Sequence, residues 1–150
     1  MAAQSTQVFP TNLEYQGKGY VDYTRRFEIT PASLTAGAYK IPVNAGEIIL
    51  GVRAQIVTAW DGTASCDIGD AADADGYIPT ANLTEATIGS FYNSVGGAGA
   101  YAQGKVYTTV GALIVAIGGT PTVGKMIVSV VYDGYGTGPD PRREIKNLTA

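Results

Sequence analysis

"EIILGVRAQIVTAW", residues 47–60, decides the fold. Ile48, Leu50, Val52, Ala54, Ile56 and Trp60 fall on one side of an extended chain, with Glu47, Arg53 and Gln55 on the other. A period of two over this length is the signature of a half-buried strand. Gly51 interrupts it, and a glycine inside a strand marks a bulge or bend. The composition agrees with a sheet protein. The 150 residues include 20 glycines and 7 prolines, and only 15% are charged, too few for the wet faces of long amphipathic helices.

Working outward, "DG" at 61–62 is a hairpin signal, followed by a return strand "ASCDIG" over 64–69. Upstream, "AYKIPV" (38–43) is a short strand entered from the turn region "TPASLTAG" (30–37). "YVDYTRRFEI" (20–29) sets Val21, Tyr23, Phe27 and Ile29 against Asp22, Arg26 and Glu28, with Arg25 breaking the pattern on the apolar side. Further strands are expected at 86–92, 99–108, 110–117 and 125–132. "VGALIVAI" and "KMIVSVVY", the last two, are apolar on both faces, as central strands are. "NLTEA" (82–86) is the sole hint of a helix. The expectation is an all-β protein, a two-sheet sandwich of jelly-roll type with about eight strands. Its β-domain spans 20–135, flanked by extended arms at 1–19 and 136–150.

The chain is long enough to bury a core, and 45% of it is hydrophobic. Its net charge of −3 is unevenly placed: residues 54–104 hold no Lys or Arg but six carboxylates. Nucleic-acid binding needs the reverse, a basic patch that releases counterions. Cys66 is the one cysteine, so no intrachain disulfide forms. No stretch is apolar for long enough to span a bilayer as a helix. "MAAQSTQVFPTN" has neither the charged nor the apolar region of a secretory signal, and synthesis in a cytoplasm is expected.

The segment "DGTASCDIGDAADADGY" (61–77) concentrates Asp61, Asp67, Asp70, Asp73 and Asp75. With Gly76 at position six of an EF-hand-like loop, Asp73 and Asp75 fall correctly, but Ala71 and Asn82 occupy positions one and twelve. The segment therefore reads as turn chemistry, Asp and Gly ending strands and bonding nearby backbone. No metal or cofactor is expected. The chain has no histidine, the commonest general base. Cys66 has no basic neighbour to form a thiolate and reads as a buried apolar residue. Two of the aspartates could serve a glycosidase only beside a substrate cleft with aromatic platforms, and Trp60 is the one tryptophan. "GGAGAYAQGK" (96–105) lacks the ending of a phosphate loop and reads as a loop or close-packed hairpin. No catalytic residue is assigned. At the ends, Phe9 on one arm and Arg142, Arg143 and Lys146 on the other are candidates for docking apolar and acidic patches of a neighbour.

Four motifs in order, "GEIILGVRAQIVTAWDGT", "DIGDAADADGYI", "GAYAQGKVYT" and "GTPTVGKMIVSVVYD", resemble small virion structural proteins of tailed bacteriophages. Within that group the chain most resembles capsid decoration (cement) proteins, over residues 40 to 135. The resemblance implies a non-enzymatic β-sandwich, forming homotrimers, that binds and stabilises the phage capsid surface. Its partner would be the major capsid protein, without direct contact to nucleic acid or membrane. It would be made in the host cytoplasm and end in the virion. Two alternatives stay open: a tail or neck adaptor or fibre protein, and a small β-sandwich carbohydrate-binding module.

Overall fold

The computed structural model describes residues 22–133, which carry eight strands in two antiparallel sheets. The strands are β1 (Tyr23–Ile29), β2 (Ala38–Val43), β3 (Ile48–Thr58), β4 (Ser65–Gly69), β5 (Phe91–Asn93), β6 (Lys105–Val106), β7 (Gly111–Gly118) and β8 (Lys125–Tyr132). One sheet runs β1-β8-β3-β5, with β6 also on β3; the other runs β2-β7-β4. The expected arms, 1–19 and 136–150, lie outside the described residues.

The pairings are nested. Along this ribbon β1 pairs β8, β2 pairs β7, β3 pairs β5 and β6, and β4 meets the returning chain at one bridge, Ile68 to Ile78, while β3 also pairs β8 and β4 also pairs β7 to complete each sheet. The chain is thus one long double strand that turns over near residues 70–77, rolled so that successive pairs land in alternate sheets. This is the jelly-roll arrangement. The apolar runs of β7 and β8 occupy the centre of their sheets, as their two-sided hydrophobicity predicts.

Side-chain alternation fills the space between the sheets. Inward rows join Ile29, Met126 and Ile56, then Phe27, Val128 and Ala54, across β1, β8 and β3. Ile41, Leu113, Val115, Ile68 and Cys66 face them from the second sheet, and every one of these is fully buried. Arg25, out of pattern in the sequence, stays exposed at the edge of the core and lays its guanidinium over the rings of Phe27 at 5.2 Å and Tyr132 at 5.9 Å. Its place on the apolar side is satisfied by cation–π contact.

Several expectations need correction. The parity of β3 holds for Val52, Ala54 and Ile56, but a register shift between Ile49 and Gly51 reverses it upstream. Ile49 is therefore buried, while Ile48 and Leu50 are half-buried. The bulge at Gly51 is the cause, because one extra residue flips all that precedes it. The "DG" at 61–62 makes no hairpin: β3 and β4 lie in different sheets, and residues 59–64 cross between them. The strand expected at 86–92 is reduced to Phe91–Asn93, and that at 99–108 to Lys105–Val106. In place of a helix over 82–86 there is a 3-10 turn at Thr80–Asn82.

Candidate functional site

The five aspartates of the 61–77 segment go to separate places. Asp61 reaches the loop between β7 and β8, accepting from the backbone amides of Thr122 at 2.7 Å and Val123 at 2.9 Å and from the Thr122 hydroxyl at 2.8 Å. Those hydrogen bonds hold its carboxyl below the usual range. It thereby ties together two crossings between the sheets. Asp67 accepts from the Thr80 amide at 2.8 Å and from the Thr80 hydroxyl, pinning the 3-10 turn to β4.

Asp70 sits where the long double strand turns over, and it is only 6% exposed. Its Oδ1 accepts from the amides of Ala72 at 2.9 Å and Asp73 at 3.1 Å, an Asx-type turn of the kind expected from the sequence. Three further donors come from distant chain: Tyr101 OH at 3.1 Å, Lys105 Nζ at 2.5 Å and Tyr107 OH at 2.9 Å. Lys105 also donates to Tyr101 OH at 2.8 Å and lies 4.1 Å from the centre of that ring. Tyr77 completes the cluster, its hydroxyl 3.4 Å from that of Tyr107 and its ring edge-on to Tyr101.

Backbone approach allows this packing. A Cβ on Gly69 would stand 2.0 Å from the Asp73 carbonyl oxygen, and one on Gly76 would stand 2.3 Å from the Tyr101 ring. Burial pushes the Asp70 carboxyl up, but Lys105, Tyr107 and the two amides outweigh it and leave it below its ordinary value. Burial likewise lowers the Lys105 ammonium, and its bonds to Asp70 and Tyr101 more than restore it, so it ends raised. Burial and the neighbouring acceptors push the Tyr107 phenol well above its normal range. The cluster is therefore a fixed ion pair with every carboxylate lone pair engaged. It has no unengaged nucleophile or base, and its chemistry is that of a clamp.

Asp73 and Asp75 make no side-chain hydrogen bond or ion pair among the described residues. Nor do three or more Asp, Glu or Cys side chains there converge as a metal ligand set. Cys66 is fully buried, and burial, then the charges of Glu85 and Asp67, drive its thiol far up. Phe9, Arg142, Arg143 and Lys146 lie outside the described residues. Sequence reasoning missed Lys105 and Tyr107 as partners of Asp70. One signal was present: Lys105 is the first Lys or Arg after Arg53, and it follows the acidic segment.

No protein-family model matches the chain, and no curated protein matches it in sequence. Solved structures do match. A chain in the capsid asymmetric unit of cyanophage Pam1 superposes with a TM-score of 0.59 at 20% identity, covering 89% of this chain and 96% of that one. A chain in the acid-stable capsid structure of Helicobacter pylori bacteriophage KHP30 superposes with a TM-score of 0.56 at 15% identity, covering 75% and 87%. At these identities the shared property is the fold.

Proposed function

We propose that this chain is a non-enzymatic structural protein of a bacteriophage particle. In this reading it binds and stabilises the capsid surface as a decoration protein. The observation that carries it is the superposition on the cyanophage Pam1 capsid chain, which takes in 89% of this chain and 96% of that one and so leaves little of either unmatched. The second likeness, to a chain of the KHP30 capsid, points the same way. The chemistry of the described residues is compatible: Asp61, Asp67 and Asp70 are all engaged in holding crossings and turns together.

The partner in this reading is the major capsid protein, and the chain acts as a homotrimer. The arms supply lattice contacts through Phe9, Arg142, Arg143 and Lys146. Single exposed ion pairs contribute only about 0–1 kcal/mol, so binding rests on several copies engaging a repeated lattice at once.

The test is stoichiometry in the purified particle, followed by occupancy on capsids stripped of this protein. Copies in fixed proportion to the major shell subunit are expected, with lower occupancy after deletion of 1–19 or of 136–150. A handful of copies per particle would overturn the capsid-surface reading in favour of a tail or neck adaptor. Full occupancy after both deletions would take the contact away from the arms.

A further inference from the structure

The outer face of the β1-β8-β3-β5 sheet carries a feature that the fold does not need. Register places Arg26 opposite Ser129, Ser129 opposite Arg53, and Arg53 opposite Asn93, one row across four strands. Two arginines thus stand on alternate strands, about 10 Å apart at strand spacing. Both are exposed, and among the described residues neither has an ion-pair or hydrogen-bond partner for its side chain. The nearest acid of β1 on this face, Glu28, is held by Lys125 at 3.3 Å. The arginines line an open trough of about 620 Å³ with Phe91 and Ile127, and Phe91 is 57% exposed. Guanidinium pairs without partners, beside exposed apolar surface, suit a carboxylate-bearing protein partner.

The opposite half of such a contact is on the same chain. The loop after β4 holds Asp73 and Asp75, the carboxylates that the Asp70 clamp leaves unused. Beside that loop, Val106 and Val110 line a second depression with Ala71 and Ala72, and the valines are 55% and 76% exposed. One surface combines cations with apolar residues on a sheet face, and the other combines anions with apolar residues at a loop end. We infer that copies of this chain associate head to tail, the Asp73/Asp75 loop of one seated on the Arg26/Arg53 face of the next. Such a contact is heterologous and closes into a ring when the rotation between copies permits. It rests on the self-association proposed above, to which it gives an interface, and it stands or falls separately from capsid binding.

The experiment uses the full chain in sedimentation across a concentration series. Arg26→Glu with Arg53→Glu, and separately Asp73→Arg with Asp75→Arg, should each raise the concentration of half-assembly by roughly tenfold or more, since like charges then oppose each other. The quadruple variant, carrying both reversals, should restore assembly. Unchanged thermal midpoints verify that each variant is folded, and the unaltered chain should dissociate as salt rises. A chain that is monomeric at micromolar concentration, or an assembly indifferent to the arginine reversal, overturns the inference. So does failure of the quadruple variant to reassociate. If the arginine reversal spares self-assembly but abolishes capsid docking, the face belongs to the shell and the second-copy assignment is wrong.

Discussion

Asp70→Ala is expected to be the most damaging single change to a polar side chain among the described residues. The carboxylate accepts from five donors, two backbone amides, two phenols and the Lys105 ammonium. Breaking a buried pair by removing one partner costs about 3–5 kcal/mol. The Lys105 side chain keeps 25% of its surface exposed and can rehydrate with a small movement, so the low end, about 3 kcal/mol, applies. Lys105→Met should cost less, about 1.5 kcal/mol, because four donors still satisfy the carboxylate. At ~2–4 °C per kcal/mol for a chain of this size, Asp70→Ala should lower the thermal midpoint by about 6–12 °C. Urea unfolding at constant slope measures both variants. A loss below about 1 kcal/mol for Asp70→Ala, or an equal loss for Lys105→Met, would refute the clamp. The pH dependence is a second check. Asp70 is held below its ordinary value, so its contribution is full above the unfolded carboxylate value of about 3.9 and is lost as pH falls through the folded one. Glu85, raised by burial, works in the opposite direction. The difference between the unaltered chain and Asp70→Asn isolates the Asp70 part and should shrink on acidification below about pH 4.

Trp60 is 3% exposed, so its emission should be blue-shifted and poorly quenched, and Trp60→Ala should cost about 3–5 kcal/mol; a red-shifted native spectrum would refute the burial. Cys66 should resist a thiol reagent in the native protein and react once urea unfolds it, and rapid native labelling would contradict its packing against Ile117. Asp61→Ala should speed hydrogen exchange at the Thr122 and Val123 amides while leaving those of β7 protected; unchanged exchange would mean that the loop holds itself.

How much was legible in advance depended on the range of the interaction. Strands β2, β7 and β8 could be read within a residue or so because their patterns are local and their ends are marked by Gly, Pro and Asn. The central positions of β7 and β8 followed from apolar character on both faces. Gly51 was recognisable as a bulge site, but not that the bulge reverses parity, since only the partner strand shows where the extra residue goes. "DG" at 61–62 misled because the same dipeptide serves a sheet-to-sheet crossing when its aspartate finds the 122–123 amides. The turn role of the acidic segment was readable from Asp and Gly chemistry. Its pairing with Lys105 and Tyr107 was not, because those contacts span 35 and 37 residues and no local pattern encodes them.

The nested pairing also sets an order of events during synthesis. β8 lies between β1 and β3, and β7 lies between β2 and β4, so the middle of each sheet is the last part of it to be made. Until residue 132 has left the ribosome, β1 has no partner strand and the 23–29 segment must wait through about a hundred residues of translation, several seconds at ~5–20 residues per second. Closure then has to bring together ends that are far apart in the chain, which places folding at the slow, millisecond-to-second end of the range. A nascent chain stopped before β8 presents unpaired apolar edges, and aggregation is the expected fate of truncated products.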